Sequence, residues 1–276
     1  LIDFGWKPDR FTPTGQPIVD EKTLSQITHI HEANLIAQFL LLQKRIAQID
    51  SWIEATQDDE RVHGFVIPNG AITGRMTHRM LAHYMNDEEY TNEILNGDIH
   101  TANQKLAQLE SRDKAKTFIY ALMYGAGDEK LGKVVGGNTA DGKRARQYFF
   151  DNKPSFKSLR DRVQRASAKK FLKGLDGRKL YVRNQHSALN TLLQGAGAII
   201  MKKALVLLDE MLKLNAVQYK FVANIHDEWQ IEVKESQADF VGEVAVESII
   251  KAGEYFNLRC PLDGEYKTGV NWSETH

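Results

Sequence analysis

Two runs of alternating apolar residues meet at a charged triplet near the C-terminal end of the chain. Residues 221–225 and 229–233 flank His226-Asp227-Glu228, and an apolar residue occupies every second position on each side. This period is typical of strands with one buried face, so the segment predicts a β-hairpin that carries carboxylates at its tip. A metal ion or a phosphate could be bound there, although an acidic hairpin tip is more often a solvated turn.

The composition of the chain excludes several classes of protein. Its 276 residues carry 36 basic and 36 acidic side chains, so the net charge indicates no partner. Cys260 is the single cysteine, which excludes an internal disulfide and a cysteine-rich zinc site and favours a reducing compartment. We expect no apolar run of membrane-spanning length and no membrane partner. The opening at Leu1 rather than at Met indicates truncation.

Charge is distributed unevenly along the chain. Residues 157–183 contain ten Lys and Arg against two acids, whereas eleven acids and four Lys or Arg follow from residue 226 onward. A basic segment of this kind favours a polyanionic ligand, and an acidic one favours cations.

The periodicity of the sequence predicts helices packed on a small antiparallel sheet, an α+β fold. Apolar residues at helical spacing predict one long helix over residues 30–55. Further helices are predicted within residues 79–133, 144–170, 187–212 and 238–254, and strands at 62–75 and 179–182 beside the hairpin.

Four side chains recur at intervals of four residues in the middle of the chain: Arg112, Lys116, Tyr120 and Tyr124. Because a helix rotates about 100° per residue, this spacing places them along one slowly drifting stripe. Two cations followed by two aromatic rings suit a ligand with a polyphosphate at one end and a flat ring or sugar at the other. For the spacing alone, an ordinary amphipathic helix with solvated cations and packed tyrosines is the commoner explanation.

Together the two motifs resemble the polymerase region of family A DNA polymerases, most of all the replicative enzymes of short-tailed, T-odd-like bacteriophages. Residues 112–125 are similar to the fingers-helix motif Arg-x3-Lys-x3-Tyr-x3-Tyr-Gly, and residues 225–228 to the palm hairpin motif. Three further segments agree with the phage branch: residues 96–101, 173–179 and 188–197.

The resemblance implies a right-hand polymerase fold with a partial thumb, a palm built on an antiparallel sheet, and helical fingers. Residues 1–62 would form the partial thumb and the entry to the palm, and residues 63–100 the first palm segments. Residues 101–170 would form the fingers and residues 171–276 the rest of the palm.

The resemblance also implies a role for individual residues. Asp227 would be the metal ligand, with Glu228 as a second carboxylate and His226 near the primer terminus. The incoming nucleotide would be bound by His100, Arg112, Lys116 and Tyr120. Primer-template DNA would be contacted by Tyr124, Gly125, Arg75, Gln194 and Arg178.

The implied activity is template-directed DNA synthesis in phage DNA replication. A primer 3′-hydroxyl would attack the α-phosphate of a dNTP, with two Mg2+ ions stabilising the attacking and leaving oxygens. The implied partners are primer-template DNA and dNTPs, with a processivity factor or a complementing polypeptide that the sequence does not assign. The implied location is the cytoplasm of the infected bacterial host.

One motif of the family is missing from this sequence. The second palm motif, Asp-x-Ser-x-Leu-Glu-x-Arg, should lie where His78 runs directly into Arg79, and it supplies the Asp that bridges both metals. The acids that follow at 87–89 match no ligand of the family. A catalytically impaired fragment that binds DNA and nucleotides is therefore the alternative function, and a relative of phage-type RNA polymerases is a third.

Overall fold

Helices dominate the part of the chain that the structure describes. The structure is a computed structural model that describes residues 1–8, 11–12, 15–54, 76–225 and 228–275. The strands predicted at 62–75 lie outside these residues, as do three predicted site residues: Arg75, His226 and Asp227. The chain divides into two compact units, Leu1–Pro68 and Asn69–His276.

The described residues form helices along the whole chain and short strands only in its second half. The helices are α1 (Glu21–Leu24), α2 (His31–Glu54), α3 (Thr77–Met85), α4 (Glu88–Asn96), α5 (Ile99–Ala107), α6 (Arg112–Met123), α7 (Asp128–Val135), α8 (Thr139–Asn152), α9 (Pro154–Ala166), α10 (Ala188–Leu214), α11 (Ala238–Tyr255) and α12 (Trp272–Thr275). The strands are β1 (Phe171–Lys173), β2 (Lys179–Tyr181), β3 (Tyr219–Ile225) and β4 (Glu228–Val233). They form two antiparallel pairs, β1 with β2 and β3 with β4.

The first unit is built around α2, which confirms the long helix predicted for this region. Its N-terminal part joins a small apolar core that consists of Trp6, Leu24, Ile27, Ile30, Ala33 and Ala37. From Leu42 to Glu54 every residue of α2 is exposed. The exposed residues include an apolar stripe at alternating spacings of three and four: Leu42, Ile46, Ile49 and Ile53.

The second unit has one large core, to which helices α3 to α11 contribute. Its fully buried rings are Tyr90, Phe118, Phe149 and Phe156, and the last two meet edge to face with their centroids 5.2 Å apart. Cys260 is completely buried in this core. The helical segment predicted over 144–170 is divided between α8 and α9, because Pro154 occupies the first turn of α9, where its missing N–H is tolerated.

The longest helix, α10, runs through the middle of the second unit. The segment Gln185–Leu214 is long and apolar enough to cross a membrane by length and composition alone. This corrects the expectation that the chain has no run of that length. Because 56% of its most apolar window is buried inside the protein, α10 has the character of a core helix.

The predicted hairpin is present as β3 and β4, with Tyr219 opposite Val233 and Ile225 opposite Glu228. One face of the pair packs on α10 and α11 through Leu208, Leu212, Val241 and Val244. The register shifts between Phe221 and Ala223, which places a bulge in β3. Phe221 is 40% exposed and Val222 61% exposed, so the strand is not buried along one continuous face as its alternation predicted.

Candidate functional site

Helix α6 presents the predicted stripe. The helix begins after Ser111, whose side chain accepts a hydrogen bond from the Lys114 backbone N–H at 3.2 Å. One face of α6 is buried through Ala115, Phe118, Ile119 and Leu122. The other face exposes Arg112, Lys116 and Tyr124 and leaves Tyr120 half-buried. The rings of Tyr120 and Tyr124 stack with centroids 6.4 Å apart, so the aromatic end of the stripe is an ordered platform.

Arg112 is held by a carboxylate that the sequence analysis did not select. Asp98 caps the N-terminus of α5 and binds Arg112 at two points, Oδ2 to Nε at 2.6 Å and Oδ1 to Nη2 at 3.2 Å. The Arg112 guanidinium holds the pKa of the Asp98 carboxyl well below its usual range. The sequence contains one signal for this role of Asp98: it stands two residues before His100, at an N-cap position.

His100 lies in the first turn of α5, next to this ion pair. Burial lowers its pKa, and the positive charges of Arg112 and Lys116 lower it further against the pull of Asp98. Its ring centroid is 6.3 Å from that of Tyr120. The structure therefore brings together all four residues that were predicted to bind a nucleotide.

A second histidine completes the cluster. His78, on α3, has ring centroids 5.2 Å from His100 and 5.3 Å from Tyr120, both in edge-to-face geometry. Its Nδ1 lies 3.2 Å from the hydroxyl of the buried Tyr90. Burial, and then the charge of His100, lowers the pKa of His78 to about 4. In the sequence, His78 stands only at the edge of the missing motif, and no role was predicted for it.

The end of α6 meets the start of α10 at Tyr124 and Gly125. Gln194 donates its side-chain N–H to the Tyr124 hydroxyl at 3.4 Å, which joins two of the residues predicted to contact DNA. Gly125 has φ +81°, and a Cβ at this position would lie 2.0 Å from the carbonyl oxygen of His186. Only glycine allows this approach of the two segments.

Arg178 lies on a different element from the stripe. It follows the turn between β1 and β2 and binds Asp176 of the same turn, Nη2 to Oδ2 at 2.6 Å. The basic side chains of residues 157–183 are spread over α9 and this hairpin. Arg178 thus belongs to the basic segment in sequence, and its described side-chain partner lies within its own turn.

Glu228, the first residue of β4, is tied to the last helix of the chain. Its Oε1 accepts hydrogen bonds from Trp272 Nε1 at 3.1 Å and from the Gln230 amide. The other end of the Gln230 amide accepts from the Thr275 hydroxyl at 3.1 Å. The hairpin and α12 thus share one hydrogen-bond network.

The donor set for a metal ion is incomplete in the described part of the chain. Within those residues, no group of three or more His, Cys, Asp or Glu side chains could hold a metal ion. Asp227, which precedes Glu228 in the sequence, falls outside the described residues. These residues by themselves do not fit the two Mg2+ ions that the resemblance implies.

The comparison with known proteins decides the family. A sequence model of DNA polymerase family A matches residues 77–274. The chain belongs to this family. The match contains α3 to α11 and all of α12 except Thr275, and therefore the whole α6 stripe, His78, His100 and Glu228.

Phage polymerases are among the curated relatives. The chain is 36% identical to the DNA-directed DNA polymerase of Enterobacteria phage T3 and 35% identical to that of Escherichia phage T7. Each alignment covers 100% of this chain and 51% of the relative. The chain thus spans about half the length of these two enzymes. A polymerase of Escherichia phage Phieco32 is 43% identical over 68% of this chain and 32% of its own length.

A solved structure confirms the polymerase fold. The polymerase domain of Pol1 from M. smegmatis, determined with DNA primer-template and dNTP, superposes with a TM-score of 0.75. The superposition covers 95% of this chain and 57% of that one, at 19% sequence identity. The predicted α+β, right-hand fold is therefore correct.

This chain is shorter than the T3 and T7 enzymes over the region that it shares with them. The T3 and T7 alignments extend over 359 residues, whereas the chain has 276, a difference of 83. At the predicted deletion, α3 runs without interruption from Thr77 through His78 and Arg79. The nearby acids have structural partners, since Lys153 Nζ lies 3.3 Å from Asp87 and 2.9 Å from Glu89.

Proposed function

We propose that this chain is the nucleotide- and DNA-binding part of a family A polymerase and takes part in template-directed DNA synthesis during phage replication. The observation that carries the proposal is the α6 stripe, on which two cations precede two stacked tyrosines. His100 stands beside both the cationic and the aromatic part of the stripe. Family membership and the relation to phage enzymes support the same function.

The nucleotide would lie along α6. Arg112 and Lys116 would bind its phosphates, because both are exposed cations and a polyphosphate can replace Asp98 on Arg112. Tyr120 would pack on the sugar and Tyr124 at the templating position, next to Gly125 and Gln194. The basic side chains of α9 and the β1–β2 hairpin, with Arg178 among them, would contact the DNA backbone without regard to sequence.

Synthesis requires Mg2+ in this family by the resemblance, and Asp227 would be a ligand, with Glu228 beside it. What the described residues supply is nucleotide binding, and a hydrogen-bond network that fixes the orientation of Glu228. The chain would act in the cytoplasm of an infected bacterium, with residues 101–170 as fingers and the segments on either side as palm.

A second candidate function is binding without turnover. Two observations favour it. His78 is followed directly by Arg79 within one helix, and the chain is 83 residues shorter than its alignment with the T3 enzyme. Loss of a bridging carboxylate leaves the metal ions poorly held. In this case a complementing polypeptide would have to supply the missing motif before DNA is made.

Primer extension measured beside dNTP binding tests the two candidates. Extension by the purified chain with Mg2+ supports synthesis, whereas dNTP and primer-template binding without extension supports the second candidate. Asp227→Ala should abolish extension and spare dNTP binding; equal extension by the variant and the wild type would contradict the assignment of the hairpin.

Lys116→Ala tests the stripe itself. We expect dNTP affinity to fall roughly tenfold, because the variant loses a charge-assisted contact with the phosphates. Lys133→Ala is the matched control, since Lys133 is an exposed lysine on α7 that pairs only locally with Glu129. Equal dNTP affinity in the two variants would refute the role of α6.

A further inference from the structure

His78 occupies a position for which the sequence analysis assigned no function. Its side chain is 8% exposed and lies between three helices that bear nucleotide-site or core residues: α4 through Tyr90, α5 through His100 and α6 through Tyr120. The two rings that it touches were predicted to face the phosphates and the sugar of the nucleotide. His78 therefore stands at the boundary between the cationic and the aromatic part of the site.

The contact of His78 with Tyr90 is compatible with a proton on either ring nitrogen, because a phenol hydroxyl can donate or accept. Burial raises the pKa of Tyr90, so its hydroxyl keeps its proton and can donate to His78 Nδ1 across the 3.2 Å contact. A neutral imidazole has one donor and one acceptor nitrogen. When Tyr90 donates to Nδ1, Nε2 carries the hydrogen, and this is the tautomer that recognition of a ligand through Nε2–H requires.

Nε2 is the unusual atom of this side chain. It is buried from solvent and has no hydrogen-bond partner among the described residues, although nearly all buried polar atoms in folded proteins have a partner. Nδ1 of the neighbouring His100 is in the same condition. Both rings border Tyr120 of the α6 stripe, so a polar group of a ligand that enters there can supply a partner.

We propose that His78 recognises the sugar of the bound nucleotide by donating its Nε2–H to a hydroxyl oxygen of the deoxyribose. This inference rests on the proposed nucleotide site of α6. A sugar hydroxyl fits because the phosphates are matched by Arg112 and Lys116 at one end and the base by the tyrosine platform at the other. Since Nε2 is shielded in the free protein, the half-buried ring of Tyr120 must shift as the sugar enters.

Two substitutions distinguish the role of Nδ1 of His78 from that of Nε2. The amide of His78→Asn reaches the position of Nδ1, so this variant keeps a partner for Tyr90 and loses the donor at Nε2. His78→Gln places its amide near Nε2 and restores a donor there. Each variant is checked for folding by circular dichroism before ligand binding is measured.

Binding of dNTP, of ddNTP without the 3′-hydroxyl, and of inorganic tripolyphosphate is then measured for each protein without primer. We expect the wild type to bind dNTP about fivefold more tightly than ddNTP, because one hydrogen bond contributes a difference in affinity of this size. His78→Asn should lose this preference and His78→Gln should keep most of it. Tripolyphosphate should bind all three proteins equally. A preference that persists in His78→Asn would overturn the inference and leave the nucleotide site in place.

Nitrogen-15 NMR of the His78 ring distinguishes a histidine that contacts the sugar from one with a purely structural role. We expect the Nε2–H resonance to shift when dNTP is added and to stay in place when tripolyphosphate is added. An unchanged resonance with bound dNTP means that Nε2–H faces an aromatic ring or a buried water, which would refute sugar recognition. If neither dNTP nor tripolyphosphate binds the wild type, it is the proposed function of α6 that fails.

Discussion

Arg112 and Asp98 form a two-point ion pair at the cationic end of the α6 stripe, with Nε 2.6 Å from Oδ2 and Nη2 3.2 Å from Oδ1. The same carboxylate caps α5 by accepting from the backbone N–H of His100 at 3.0 Å. In the protein without ligand, Asp98 therefore occupies the guanidinium edge that a phosphate would need. A nucleotide must compete with Asp98 before it can use Arg112.

Asp98→Asn should raise polyphosphate affinity. The substitution removes the competing charge and keeps a side chain that is equally good at an N-cap, so α5 should remain intact. We expect tripolyphosphate and dNTP to bind roughly threefold to tenfold more tightly at low salt, measured by isothermal titration. Asp141→Asn is the control, because Asp141 pairs with Arg144 at the start of α8 and also accepts from a backbone N–H. Weaker binding in Asp98→Asn would show that Asp98 orients Arg112 for the ligand.

Gly125→Ala should destabilise the junction of α6 with the segment that precedes α10. The new Cβ would lie 2.0 Å from the His186 carbonyl oxygen and would require φ +81° of an L-residue. We expect a loss of at least about 2 kcal/mol in the free energy of unfolding, measured with urea. Gly127→Ala is the control, since its Cβ meets nothing within 4 Å and its φ is −76°. Similar unfolding curves for both variants would contradict the close approach seen at His186.

Acid should destabilise the second unit through His78. The pKa of His78 is about 4 in the folded protein against 6.5 unperturbed, so between these values the unfolded chain binds more protons than the folded one. The stability from neutral His78 is thus complete above pH 6.5 and is lost as the pH falls toward 4. The full shift corresponds to about 3 kcal/mol. In His78→Gln the midpoint of urea unfolding should depend less on pH over this range. An unchanged pH dependence would exclude His78 as its source.

Lys153 should be essential to the ion pair that joins the start of α4 to the start of α9. Its side chain is only 6% exposed and lies 3.3 Å from Asp87 Oδ2, which also accepts from the Ser155 hydroxyl at 2.5 Å. Lys153→Met leaves Asp87 without its cation, and we expect a loss of about 2–4 kcal/mol in urea unfolding. Glu89→Gln removes a partner that is 82% exposed and should change stability by less than about 0.5 kcal/mol. Equal effects would show that the exposed pair carries the interaction.

Trp272→Phe should loosen the attachment of α12 to the hairpin. The substitution keeps an aromatic ring and removes the Nε1–H that donates to Glu228. We expect amide hydrogen exchange across α12 to become about fivefold faster, the effect of one hydrogen bond. Thr275→Val should act in the same direction, because it releases the Gln230 amide. Unchanged exchange in both variants would mean that apolar contacts hold α12 in place.

The sequence predicted those features that depend on spacing within one element. A period of four residues determines the face of a helix, so the stripe from Arg112 to Tyr124 could be derived before its surroundings were known. The boundaries of α2 and α11 followed from apolar periodicity in the same way. The roles of Gln194 and Gly125 came from the family resemblance, and the contact of Gln194 with Tyr124 agrees with them.

Features that depend on how helices pack against one another were not predicted. Asp98 reaches Arg112, and His78 reaches Tyr120, only after α3, α5 and α6 have come together. Nothing in the local sequence distinguishes Lys153 from an ordinary surface lysine, yet it is buried beside two acids. The alternation of β3 predicted one buried face, but a pair of strands with a bulge at Phe221 leaves part of its apolar side uncovered.

Cys260, the single cysteine, is a natural probe for local unfolding of the core in which it is buried. The thiol is completely buried, and burial raises its pKa against the opposing effect of Arg79, so the folded protein shields it from alkylating reagents. Every labelling event therefore records one excursion in which the core around α3 and α11 opens. The labelling rate, followed by mass spectrometry, would rank all of the variants above on one kinetic scale, with no engineered probe.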